Sequence, residues 1–125
     1  MNHRVLLAGC DAATRETCQS CLEVNGYEVT LASDGVDCWT KLSDRMPVAA
    51  VLGGDLRWGG ADGVISRLRE EGGEKTVPVI FIGHEDDLEA MRDALAEPIV
   101  ACLPTPVRAS TLLECLKRVE RRAAT

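Results

Sequence analysis

The sequence predicts a three-layer, doubly wound α/β fold, with helices on both faces of a five-stranded parallel sheet. Apolar runs and amphipathic segments alternate five times along the 125 residues. Such alternation is typical of parallel sheets built with right-handed crossovers. The first, third and fourth apolar runs also lack polar alternation, which is expected when both faces of a strand are buried.

The predicted elements follow one another in strict β/α order. The five strands are the short apolar runs Arg4–Ala8, Glu28–Leu31, Ala49–Gly53, Val79–Ile82 and Val100–Leu103. The five helices are the amphipathic segments Ala13–Asn25, Gly35–Asp44, Gly63–Glu71, Asp86–Ala96 and Ala109–Arg122. Turn signals separate the two kinds of element, among them Asn25-Gly26 and Pro78.

Length and composition predict one domain over residues 1–125, with 46% hydrophobic and 27% charged residues. A net charge of −6 disfavours a surface that follows nucleic-acid phosphates. No apolar run reaches the ~20 residues that span a bilayer, and the N-terminus lacks the pattern of a secretory signal. We therefore expect a cytoplasmic domain with reduced cysteines that binds neither nucleic acid nor membrane.

Ligands of doubly wound sheets bind beyond the carboxyl ends of the strands, where the strand order switches. This rule indicates the residues that follow the predicted strands: Gly9, Cys10, Asp11, Asp55, Gly83, His84 and Thr105. Among them, Asp55 is a carboxylate placed directly after a buried strand. A functional site is therefore expected at this edge of the sheet.

The order and spacing of these segments resemble the receiver domain of two-component response regulators, the CheY-like family. The resemblance is carried by RVLLAGCDAATRE, NGYEVTLASDGVDCW, DLRWGGADG, VPVIFIG and CLPTPV, and it covers essentially the whole chain. It implies a flavodoxin-like (βα)5 fold and a signalling role in bacterial phosphorelays, with no enzyme activity of its own. The family's proline at the position of Pro106 usually follows a cis peptide bond.

The resemblance also indicates which site residues are missing. A phosphorylated receiver uses an acid pair, an acceptor aspartate, a Ser/Thr hydroxyl and a lysine, together with Mg²⁺ bound through oxygen ligands. The acceptor corresponds to Asp55, whereas the other positions are occupied by Gly9 and Cys10 (acid pair), Gly83 (hydroxyl) and Thr105 (lysine). Because a thiol is a poor ligand for Mg²⁺, we expect no cofactor and at most very weak Mg²⁺ binding.

Two alternatives remain open at this site. Shifting the alignment by one residue would bring Asp11 into the pocket, so Asp11 and Asp55 are the remaining candidates for metal ligation. Gly53 and Gly54 stand where bulky apolar residues normally fill the sheet. Asp55 therefore lies either at the pocket mouth or on a flexible turn after a strand that ends early. The switch is altered too, because the family's aromatic position on the fifth strand is Cys102.

The cysteines are most simply explained by packing. Cys18 and Cys21 form a CxxC motif, but they lie on an apolar helix face with no further ligands to complete a zinc site. Cys38 and Cys115 also fall on apolar helix faces. Cys10 faces the expected pocket, where nearby acids oppose the lowered pKa that a reactive thiol needs.

Two other side chains could act at the pocket. His84 could pair with Asp55 or bind a metal, although a solvated loop residue is the simpler interpretation. Trp58 lies in the loop after Asp55, where it could cover the pocket, anchor a partner or pack locally.

These observations favour a pseudo-receiver that works by protein contact, independently of phosphorylation, with a separate partner or an attached output or kinase domain. The expected contact surface, which could also form a homodimer, lies on the fourth predicted helix, the fifth strand and the fifth helix: Leu88, Met91, Arg92, Leu95 and Arg108. The alternative is a weak acceptor phosphorylated at Asp55 by a histidine kinase. A redox or enzymatic role for Cys10 or the CxxC motif is a third possibility.

Overall fold

Five parallel strands form a single sheet at the centre of the protein. The computed structural model describes residues 3–55, 60–71, 77–86, 88 and 99–124. Its strands are β1 (Arg4–Ala8), β2 (Glu28–Ala32), β3 (Ala49–Gly53), β4 (Val79–Gly83) and β5 (Ile99–Pro104). They pair in the order β2-β1-β3-β4-β5, so the strand order switches between β1 and β3. The predicted doubly wound sheet is confirmed.

Four helices are described: α1 (Ala12–Val24), α2 (Gly35–Asp44), α3 (Gly60–Glu71) and α4 (Ala109–Ala124). The largest difference from the predicted bounds is at the start of α3, which begins three residues before Gly63. The predicted helix over Asp86–Ala96 lies mostly outside the described residues. No described helix is both long enough and apolar enough to cross a membrane.

The aliphatic core lies in two layers, one on each face of the sheet. Alternate residues of β1 point to opposite layers, with Leu6 packed beneath α2 and α3 and Leu7 beneath α1 and α4. The central strands β3 and β4 are buried along their whole length, whereas β2 and β5 at the edges are mixed. This pattern confirms the prediction that the first, third and fourth strands have two covered faces.

All six cysteines are free thiols, and two of them are fully enclosed. Cys18 lies in the layer beneath α1 and Cys38 in the layer beneath α2, as predicted. Cys21 is partly exposed, and its Sγ donates to the carbonyl oxygen of Ala109 at 3.7 Å. Of the CxxC pair, Cys18 therefore lies in the core, whereas Cys21 lies at the boundary between α1 and α4.

A close approach of two backbones fixes the end of β3 against the end of β1. Gly9 has a positive φ of 78°, which turns the chain out of β1. A Cβ added at Gly53 would overlap the carbonyl oxygen of Gly9 and would lie 2.7 Å from its carbonyl carbon. Glycine is thus required at position 53 because the neighbouring backbone occupies the space of a side chain.

Replacing Gly53 by alanine is expected to lower the free energy of unfolding by about 1–3 kcal/mol, the usual cost of overpacking. Urea denaturation followed by circular dichroism measures this change.

Gly63→Ala is the matched control, because a Cβ at this position in α3 meets no atom within 4 Å. Alanine also favours a helix over glycine, by about 1 kcal/mol, so the control is expected to be neutral or stabilising. Equal destabilisation by the two substitutions would contradict the close approach of β1 and β3.

Candidate functional site

The carboxyl ends of the strands surround a small pocket beside the switch between β1 and β3. Its volume is about 20 Å³, enough for one water-sized group. The residues that line it come from the ends of four strands and from the start of α1: Gly9, Cys10, Asp11, Thr14, Gly53, Gly54, Asp55, Ile82, Gly83, His84 and Thr105. The structure thus brings all the residues indicated by the strand-end rule to one place.

Asp55 lies at the mouth of this pocket, with its side chain exposed. Its backbone N–H donates to the carbonyl oxygen of Gly9 at 2.9 Å. The preceding N–H, of Gly54, donates to the carbonyl oxygen of Ile82 at 3.2 Å. These bonds tie the turn after β3 to both neighbouring strands, so Asp55 does not ride on a free loop.

Asp11 lines the same pocket, but its carboxylate caps α1. Oδ1 accepts a hydrogen bond from the backbone N–H of Thr14 at 2.7 Å. This bond lowers the pKa of Asp11, since it stabilises the charged form. Asp11 is therefore engaged at the N-terminus of α1.

Cys10, which the resemblance places at an acid position, carries a thiol whose pKa is raised, so it stays protonated at neutral pH. Burial raises its pKa to about 12, and the negative charges of Asp11 and Asp55 act in the same direction. The Sγ donates to the carbonyl oxygen of Ala8 at 3.9 Å. At neutral pH this group is neither a nucleophile nor an oxygen ligand.

A contact between His84 and Thr105 closes the far side of the pocket. His84 Nδ1 and Thr105 Oγ1 lie 3.0 Å apart, within hydrogen-bonding distance. The backbone supports this contact, because the Thr105 N–H donates to the Gly83 carbonyl oxygen at 3.1 Å. Sequence reasoning considered Asp55 as a partner for His84 and missed Thr105. The contact could have been inferred from the predicted sheet, because His84 and Thr105 follow β4 and β5, which lie side by side.

The donors present do not fit Mg²⁺, which requires near-octahedral oxygen coordination. The carboxylate of Asp55 is exposed, that of Asp11 is bonded to an amide, and Cys10 offers a protonated thiol. Within the described part of the chain, no group of three or more His, Cys, Asp or Glu side chains is placed to hold a metal ion. The loss of Mg²⁺ binding stays a prediction.

Two curated relatives are similar in sequence along nearly the whole chain. Response regulator MprA of Mycobacterium sp. (strain KMS) is 30% identical over 123 residues, which are 97% of this chain and 52% of that protein. MprA of Mycobacterium bovis (strain BCG / Pasteur 1173P2) is 31% identical over 124 residues, 98% of this chain and 52% of that protein. The chain thus spans about half the length of these relatives. No protein-family model matches it.

Solved structures show the same fold. A putative response regulator from Chloroflexus aurantiacus superposes with a TM-score of 0.84 at 21% identity, covering 95% of this chain and 98% of that one. CheY4 of Vibrio cholerae superposes with a TM-score of 0.81 at 22% identity, covering 95% of this chain and 99% of that one. The receiver domain of sensor histidine kinase PA1611 from Pseudomonas aeruginosa superposes with a TM-score of 0.80 at 20% identity, covering 94% of this chain and 97% of that one.

The chain has the flavodoxin-like fold of CheY-like receiver domains. Receiver domains are signalling modules of two-component systems and not classical enzymes. The peptide bond between Thr105 and Pro106 is cis, as the family resemblance implied.

The residues predicted for the contact surface and the switch of this protein differ in how exposed they are, and several lie outside the described residues. Arg108 is exposed ahead of α4. Leu88 is partly buried against the core layer beneath α2 and α3, and its place in the contact surface stays a prediction. Cys102, the residue that the resemblance places at the switch position, is also partly buried against that layer. The other predicted residues lie outside the described part of the chain: Trp58, Met91, Arg92 and Leu95.

Three thiols are expected to be alkylated slowly in the folded protein at neutral pH, because burial raises the pKa values of Cys10, Cys18 and Cys38. Those of Cys10 and Cys38 are raised to about 12 and that of Cys18 to about 11. Each stays protonated until the pH approaches its raised pKa, and only the thiolate attacks iodoacetamide. Peptide mass spectrometry should find these three sites unmodified while Cys21 and Cys102 react first.

The same reaction in concentrated urea is the control, and all six thiols should then be labelled at similar rates. Rapid labelling of Cys10 in the folded protein would contradict the assignment of an inert thiol and would revive a redox role.

Proposed function

We propose that this receiver domain acts through contact with a protein partner and independently of phosphorylation. The observation that carries the proposal is the content of the pocket. No lysine or arginine is among the residues that line it, all of which lie in the described part of the chain. The lysine position is held by Thr105, whose hydroxyl contacts His84 instead of reaching toward Asp55 as a charge.

Electrostatics explain why this pocket is unsuited to a phosphoryl group. Phosphorylation of Asp55 would replace its single carboxylate charge by a phosphoryl group that carries close to two negative charges, beside the carboxylate of Asp11. Like charges at short range repel, and neither a metal site nor a permanent cation of the pocket offsets them. The residues that line the pocket would therefore stabilise the phosphorylated form little, and Arg15 lies in the neighbouring cleft, which Asp55 also lines.

The coupling from the pocket to the rest of the domain is also altered. A receiver of this family links phosphorylation to a rotating aromatic side chain through a hydroxyl. Here the hydroxyl position is Gly83, at the end of β4, and the aromatic position is Cys102, partly buried on β5. A small thiol packed against the core has no second position comparable to that of a rotating ring.

The partner is proposed to be a separate protein or an attached output or kinase domain. The MprA relatives are about twice as long as this chain, and the similar PA1611 structure is part of a sensor histidine kinase. We assign the contact surface to β5, α4 and the predicted helix over Asp86–Ala96. In the described part, Val100 on β5 is 36% exposed and Arg108, just ahead of α4, is exposed. A second copy of the chain would use the same surface.

An amide NMR titration with Mg²⁺ and then beryllofluoride, which mimics the phosphorylated aspartate, tests this proposal. The spectrum of the wild-type protein is expected to stay unchanged, because the pocket holds neither ion. Shifts at Asp55 and Gly83 that require both additions would overturn the proposal.

A variant with Cys10→Asp and Thr105→Lys supplies the positive comparison. It restores one acid and the cation at positions that already line the pocket. This variant is expected to respond to the two additions together, and Asp55→Asn in the same background should abolish the response.

The alternative function, a weak phospho-acceptor, is favoured by the position of Asp55. Its carboxylate is exposed at the pocket mouth, and its backbone is held by the Gly9 carbonyl oxygen at 2.9 Å. Incubation with acetyl phosphate and Mg²⁺, followed by intact-mass measurement, distinguishes the two functions. We expect no adduct. A single phosphoryl adduct that is lost in Asp55→Asn would establish the acceptor.

A further inference from the structure

A second, larger cleft opens beside the small pocket. It lies along the carboxyl ends of β1 and β2, against α1 and α2, and shares Gly9, Cys10 and Asp55 with the pocket. Its volume is about 450 Å³. Small-molecule sites commonly measure about 300–1,000 Å³, so this cleft is large enough for a ligand.

The charged side chains that line the cleft balance one another. Arg15 and Lys41 are positive, whereas Asp37 and Asp55 are negative. Two of them form a pair, with Lys41 Nζ 3.0 Å from Asp37 Oδ2. Since the formal charges sum to zero, the lining favours neither a simple anion nor a simple cation.

The paired charges are held in place by further bonds. Lys41 Nζ also donates to the carbonyl oxygen of Leu31 at 2.7 Å. Asp37 Oδ2 accepts from the N–H of Ser33 at 2.9 Å and lies 3.2 Å from its hydroxyl oxygen. These contacts fix one side of the cleft and leave its two other charges for a ligand.

Those two charges are Arg15 and Asp55. Among the residues that the structure describes, neither side chain has a hydrogen-bonded or ion-paired partner. Both act on the thiol of Cys10, whose pKa the carboxylate raises and the guanidinium lowers. A cation and an anion therefore lie near the same thiol at the boundary between the cleft and the pocket.

An apolar side chain completes the lining. Leu31 is 38% exposed on the edge strand β2, next to Ala32. An exposed leucine inside a cleft offers contact area to an aliphatic group of a ligand.

We propose that this cleft binds a small zwitterion of amino-acid size. Arg15 binds the carboxylate of the ligand, Asp55 binds its ammonium group, and Leu31 contacts its apolar side chain. A guanidinium can donate two parallel hydrogen bonds to a carboxylate, which gives this arrangement geometric selectivity. The proposal goes beyond the protein contact proposed above and does not depend on it.

Three probes of similar shape test the proposal by amide NMR titration of the whole chain. They are L-leucine, isocaproate, which lacks the ammonium group, and isopentylamine, which lacks the carboxylate. Leucine is expected to shift the amides of Gly9, Ser33 and Asp55 in a saturable way. Each truncated probe should bind at least about tenfold more weakly, because it loses one charge-assisted interaction.

Two substitutions assign the charges. Arg15→Gln should weaken leucine and isocaproate but leave isopentylamine unchanged, whereas Asp55→Asn should weaken leucine and isopentylamine but leave isocaproate unchanged. Arg118→Gln is the matched control, because it removes the same charge from α4, where Arg118 pairs with Glu114 at 2.9 Å. Binding should be unchanged in this control.

Several results would overturn the proposal. These are the absence of saturable shifts, equal binding of the three probes, and leucine binding that survives Arg15→Gln. Isocaproate binding as tight as leucine would indicate an anion site and would equally reject the zwitterion. The beryllofluoride response is a separate measurement, so failure here leaves the function proposed above untouched.

Discussion

The candidate site of this protein depends on the contact between the backbones of Gly9 and Gly53. The positive φ of Gly9 carries its carbonyl group over the end of β3, where only a glycine leaves enough space. The same carbonyl oxygen accepts the Asp55 N–H and so sets the position of the carboxylate. Both the pocket and the larger cleft include Gly9 and Asp55, so one backbone contact shapes the two cavities.

Much of the fold could be predicted because its causes are local. Continuous apolar runs mark strands with two covered faces, and strict alternation with helices leaves few topologies. The strand-end rule then located the pocket residues without any knowledge of contacts. Aspartates before helical segments, such as Asp11, are typical N-caps, and the structure shows that role directly.

Other features depend on distances that a sequence does not contain. The reason for Gly53 lies in a backbone remote in sequence, so it was visible only as an unexplained small residue. The contact of His84 with Thr105 depends on the register of β4 and β5, which shifts between Val79 and Ile80. The partial burial of Leu88 against the layer beneath α2 and α3 likewise follows from packing, which neither periodicity nor composition shows.

The two glycines at the base of the site also restrict how its sequence can change. An acidic side chain at position 9 would have to adopt a left-handed backbone conformation, which costs about 1–2 kcal/mol for most residues. Relaxing that conformation would move the carbonyl group that now fixes position 55. An acid at position 10 can therefore be introduced by one substitution, whereas an acid at position 9 also requires the backbone around β1 and β3 to adjust.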